Sequence, residues 1–121
     1  MMRGFTEQEE PPVRSTVGRR GRGLTSANIM SRQRLHIYYS GRVQGVGFRY
    51  TVKSVATGFD VTGVVRNLPD GRVEMVAEGG RAELDEFLKA VEDSEVGGFI
   101  RRADATWADA RNEFHGFEIV R

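Results

Sequence analysis

The chain has 121 residues, 18 Lys plus Arg against 17 Asp plus Glu, no Cys and 39% hydrophobic residues, the profile of one ordinary soluble domain. Without Cys, disulfide frameworks, thiolate nucleophiles, iron–sulfur clusters and Cys-based zinc sites are excluded, and only His36 and His115 remain for a metal site or a catalytic triad. A net charge of +1 gives no bulk electrostatic reason to expect nucleic acid or an anionic membrane as a partner. No run approaches the roughly 18 to 20 apolar residues of a membrane helix, and the N-terminus lacks the apolar block of a secretory signal. A cytoplasmic protein is expected.

Residues 1–31 show neither a period of 2 nor one of 3.6 and are read as a disordered extension. Glu7, Glu9 and Glu10 precede a small basic cluster of Arg14, Arg19, Arg20 and Arg22. Met30 is a candidate for the true start, and the folded domain is expected over 32–121. From Leu35 to Ser40 apolar and polar residues alternate, which predicts a half-buried strand. The stretch GRVQGVGFR at 41–49 breaks that pattern with three glycines, and Phe48, Val52, Val55 and Phe59 then fall at helical spacing. Val61 to Leu68 and Arg72 to Glu78 read as two strands joined by the turn Pro69-Asp70-Gly71.

RAELDEFLKAVED at 81–93 places Leu84, Phe87, Leu88 and Val91 on one helical face. Glu83, Asp85, Glu86, Glu92, Asp93 and, just beyond, Glu95 read as its solvated side. Strand material follows at Phe99 to Trp107 and at Phe117 to Val120. The order strand, helix, strand, strand, helix, strand predicts an α+β, ferredoxin-like split βαβ sandwich. Two helices would cover one face of an antiparallel sheet, with a short extra C-terminal strand.

The loop at 41–49 leaves a strand and enters a helix. Its glycines allow backbone N–H groups to turn inward as a nest, the helix N-terminus adds partial positive charge, and Arg49 supplies a planar fork of donors, so an oxyanion would fit. A merely flexible connection has the same glycine count. The Walker pattern lacks its Gly-Lys-Ser/Thr, and the dinucleotide fingerprint lacks a third Gly where Tyr50 stands, so no nucleotide is implied. Asn67, at a strand end beside a turn, reads on its own as a backbone cap. His36 and His115 have no partner at metal-ligand spacing, and Tyr38, Tyr39 and Trp107 read as packing residues.

The pieces GRVQGVGFR at 41–49, TGVVRNLPDGRVE at 62–74 and GFEIV at 116–120 closely resemble the acylphosphatase family, over roughly residues 34–121. That resemblance implies hydrolysis of the carboxyl–phosphate bond of acyl phosphates. It implies Arg49 as the phosphate-binding arginine, Asn67 as the residue that positions the attacking water, and the backbone from Gln44 through Gly45, Val46 and Gly47 to Phe48 as the phosphate cradle. Val64 stands where the family often has a large aromatic. A site without a catalytic His, Cys, Asp or Glu suits this reaction, because the carboxylate leaving group departs without a general acid. What remains is to neutralise phosphoryl oxygens and place one water in line.

The expected partners are a small-molecule acyl phosphate and inorganic phosphate as product and inhibitor, with no metal, cofactor, nucleic acid or membrane, and the protein a monomer. No part of the cradle reads an acyl group, so broad substrate tolerance is expected. The alternatives are a non-catalytic anion or RNA-binding module of the same fold and an accessory domain acting on carbamoyl phosphate within a larger protein. The former lacks a stacking aromatic on the third strand, which carries the acids Glu74 and Glu78 instead. The latter lacks partner domains at this length.

Overall fold

The computed structural model describes residues 32–121, so the expectations for residues 1–31, disorder and a start at Met30 included, lie outside the described residues. The chain runs through β1 (Gln33–Gly41), α1 (Phe48–Ala56), β2 (Val61–Asn67), β3 (Val73–Gly79), α2 (Arg81–Asp93), a single 3-10 turn (Gly97–Phe99), β4 (Ile100–Asp109) and β5 (Phe117–Ile119). The strands lie in the order β4-β1-β3-β2-β5. β1 pairs antiparallel with β3 and β4, and β2 antiparallel with β3. β5 adds a parallel pair with β2, Gly63 opposite Phe117 and Val65 opposite Ile119, which makes the sheet mixed. The ferredoxin-like plan is the one expected from the order of elements.

The alternation in β1 has the expected consequence: Leu35, Ile37 and Tyr39 are fully buried and join Val65, Val73, Met75 and Ala77 of the neighbouring strands. Phe48 and Val52 from α1 and Leu84, Phe87, Leu88 and Val91 from α2 close over the same face. Each such side chain, fully buried, stabilises the fold by about 1.5–3 kcal/mol. At the end of β1 the pairing with β4 shifts register between Ser40 and Gly41. Gly41 takes φ +129°, and a Cβ there would sit 2.3 Å from the Phe99 carbonyl oxygen, so only glycine turns the chain out of the sheet at this point. The loop 42–47 starts from that turn.

The face opposite the helices is polar. Glu74 bridges His36 and Arg66 at 2.6 Å each, and the Arg72 guanidinium lies 4.4 Å above the Tyr38 ring. Val64 is half-buried there, opposite Val76 and Glu118, so it does not reach the helical side of the sheet. Residues 110–116 carry the chain from the β4 edge to the β5 edge, and Glu78 pins them. Its carboxylate accepts hydrogen bonds from the Arg111 and Asn112 N–H groups at 2.8 Å each and from Arg34 at 2.9 Å. Arg34 also pairs with Glu113 and lies over the Phe114 ring.

Burial alone would push the Glu78 carboxyl up, but the Arg111 N–H, the Arg34 guanidinium and the Asn112 N–H together hold it below its ordinary value of 4.5. A folded value below the unfolded one means that this stabilisation is complete above about pH 4.5 and is lost as pH falls through the lower folded value. Glu78→Gln is therefore expected to lower neutral-pH stability by about 1–3 kcal/mol and to flatten the acid limb of a denaturation profile. Parallel wild-type and Glu78→Gln profiles between pH 7 and pH 3 would show that Glu78 plays no such part.

Candidate active site

The loop between β1 and α1 is a concavity of exposed backbone. Gly45 and Gly47 both adopt φ +80°, and no heavy atom lies within 4 Å of where a Cβ would stand at either. A side chain there would be strained and would project into the open cradle. Gly47 is the N-cap of α1, with no side-chain cap and no acidic residue in the first helical turn. The leading N–H groups of the helix are thus left to an outside acceptor, with the positive end of the dipole behind them. Arg49 lies in that first turn, and none of the ion pairs among the described residues includes it.

The β2–β3 hairpin meets this loop from the other side. Gln44 Nε2 donates to the Leu68 carbonyl at 2.8 Å and to the Arg72 carbonyl at 2.9 Å, so one side chain ties the loop to the hairpin turn. The turn closes through Leu68 N–H to Arg72 O at 2.8 Å and through Asp70, which accepts from the Arg72 backbone and side chain. Asn67, at the end of β2, takes no part in these bonds. Its Oδ1 is buried and has no hydrogen-bond partner among the described residues, although such an atom costs about 1–3 kcal/mol when left unmet. Asn67 and Arg49 line one cavity of about 140 Å³ together with Val43, Gly45, Gly47, Phe48, Tyr50 and Ile119.

The family model for acylphosphatases matches residues 35–119. The chain belongs to the acylphosphatase family. It is 49% identical over 87 residues to an acylphosphatase from Acidothermus cellulolyticus, covering 69% of this chain and 83% of that one. Among solved structures it is similar to the acylphosphatase from Bacillus subtilis, with a TM-score of 0.68 and 37% identity over 74% of this chain and 99% of that one. It is also similar to T. kodakarensis HypF, with a TM-score of 0.64 and 27% identity over 74% of this chain but only 12% of that larger protein.

Of the residues that the family resemblance singles out, Gly45, Gly47, Phe48, Arg49 and Asn67 come together around the cavity. Phe48 is buried against Tyr39, with ring centroids 5.1 Å apart, and fixes the start of α1 to β1. Gln44 and Val46 do not line the cavity: Gln44 turns to the hairpin, and Val46 packs against the core. The sequence reading missed the Gln44 side chain, Tyr50 and Ile119. Tyr50 carried a legible signal as an aromatic off the buried stripe of its helix, whereas nothing in a linear sequence indicates which carbonyls Gln44 would reach. His36 is engaged with Glu74 on the opposite face, and among the described residues no group of three or more His, Cys, Asp and Glu side chains could hold a metal ion. No helix among the described residues is long and apolar enough to cross a membrane.

Proposed function

We propose that this acylphosphatase-family enzyme hydrolyses the carboxyl–phosphate bond of acyl phosphates, taking up one water and releasing a carboxylate, inorganic phosphate and a proton. Arg49 and the N–H groups of the loop hold the phosphoryl oxygens, and the Asn67 side chain holds the attacking water. One observation carries this reading: among the described residues, a cation without a counter-ion and a buried amide oxygen without a partner share a single cavity that no Asp, Glu, His, Cys or Lys lines. Phosphoryl transfer to water from a carboxylate leaving group needs charge neutralisation and placement, and this arrangement supplies both. An oxygen that accepts a hydrogen from water directs a lone pair of that water towards phosphorus. The proposal includes inorganic phosphate as product and competitive inhibitor, no cofactor, and action as a cytoplasmic monomer.

Hydrolysis of benzoyl phosphate by the purified protein tests the reading. The rate is expected to survive exhaustive chelation and to show a broad plateau through neutral pH, since no group lining the cavity is assigned a proton transfer. Loss of activity on chelation with recovery on adding a divalent ion, or a bell-shaped profile centred near the histidine range, would overturn it.

The Gln44 cross-link gives a second expected result. Gln44→Ala frees the hairpin from the loop without touching phosphate, so kcat should fall by about tenfold while inhibition by inorganic phosphate changes little. Loss of two hydrogen bonds from a half-buried amide should also lower stability by about 1–2 kcal/mol. A variant with unchanged kcat would show that Asn67 is placed without this tie.

A further inference from the structure

Among the described residues only two large hydrophobic side chains are exposed, Tyr50 at 72% and Ile119 at 36%, and both line the candidate active site. They come from different elements. Tyr50 follows Arg49 in the first turn of α1, off the side that buries Phe48, Val52 and Ala56, so the packing of the helix does not call for an aromatic there. Ile119 lies on β5 opposite Val65 of β2, and Asn67 is two residues further along β2 on the same face. The two apolar groups thus flank the residues assigned to phosphate and to water. Among the described residues the remaining lining contributes no carboxylate and no ammonium group, and Lys53, one turn along α1 from Arg49, is held by Glu118 at 3.5 Å.

In an acyl phosphate the acyl carbon is joined to phosphorus through one oxygen. A phosphoryl group seated on the loop therefore sends its acyl substituent out across the cavity rim. We propose that Tyr50 and Ile119 form an apolar shelf for that substituent, so that the enzyme selects acyl phosphates with uncharged aromatic or extended aliphatic acyl groups over acetyl phosphate. The proposal rests on the hydrolytic reading above and narrows the broad tolerance expected from the cradle alone. Desolvating an aromatic ring against a second apolar surface favours binding, and a methyl group offers little area for the same contact. The preference should therefore reside in KM rather than in kcat.

The test compares kcat/KM for benzoyl phosphate and acetyl phosphate in the wild type, Tyr50→Ser, Ile119→Thr and the double variant, alongside inhibition by inorganic phosphate, which has no acyl group. The wild type is expected to favour benzoyl phosphate by about tenfold or more through KM, and the double variant to lose most of that ratio. Tyr50→Ser alone, at an exposed helical position, should lose about threefold or more of it, which keeps the test decisive should the short β5 not tolerate Ile119→Thr. A ratio that is unchanged in Tyr50→Ser and the double variant, while the wild type hydrolyses both substrates, overturns the shelf and leaves the hydrolytic reading standing. A fall matched by an equal loss of phosphate inhibition would mean that the substitutions act through the cradle, and it too overturns the shelf. Failure of the wild type to hydrolyse either substrate overturns the hydrolytic reading and the shelf with it.

Discussion

Arg49→Ala is expected to lower hydrolysis of an acyl phosphate by at least about three orders of magnitude and to weaken inhibition by inorganic phosphate in parallel. Among the described residues no second cation lines the cavity, so the phosphoryl charge would be left to backbone N–H groups alone. Arg49→Lys should not restore activity, because an ammonium group cannot present two parallel donors to two phosphoryl oxygens. Stability should move the other way. Arg49 stands in the first turn of α1, where its positive charge opposes the helix dipole, and no acidic residue in that turn offsets it. Its removal is expected to stabilise the fold by about 0.3–1 kcal/mol. Activity lost with Tm unchanged or raised identifies a residue kept for the phosphate. Activity retained with phosphate inhibition intact would remove Arg49 from the site.

What the sequence reveals and what it hides divide along physical lines. The alternation of Leu35, Ile37 and Tyr39 and the stripe Leu84, Phe87, Leu88, Val91 report burial directly, because each sets a period that only one face of one element can satisfy. The loop at 41–49 is legible for a related reason: Gly45 and Gly47 are needed at positive φ, and Arg49 is a cation at a helix start, where local charge preference disfavours it. The hidden features depend on long-range placement. The three residues of β5 carry no sign of parallel pairing with β2, since the choice of sheet edge is made by the path of residues 110–116. Glu78 alternates like a solvent-facing acid, yet it is fully buried, because the β4–β5 connection covers it with two N–H donors. The Gln44 side chain depends on two hairpin carbonyls, 24 and 28 residues away, each of which accepts it as a second donor beside a backbone N–H of the turn.

Asn67→Ala separates the two roles at the cavity. If Asn67 holds the attacking water, the substitution removes one positioned hydrogen-bonding group, and kcat should fall by about two to three orders of magnitude. Inhibition by inorganic phosphate should change little, because Arg49 and the loop N–H groups remain. The stability forecast is specific as well. The hairpin is closed by Leu68, Asp70, Gly71, Arg72 and Gln44, and the buried Asn67 Oδ1 accepts no hydrogen bond from any of them. Removing an unmet buried carbonyl should leave Tm unchanged or raise it slightly. The competing account, in which Asn67 caps the hairpin backbone, requires a loss of about 1–2 kcal/mol with turnover almost intact. Measuring kcat, phosphate inhibition and Tm on this one variant sets the two accounts against each other. A normal kcat with a lowered Tm would end the water-holding role, whereas a slow enzyme with full phosphate affinity and an undiminished Tm is what an acceptor kept unpaired for water produces.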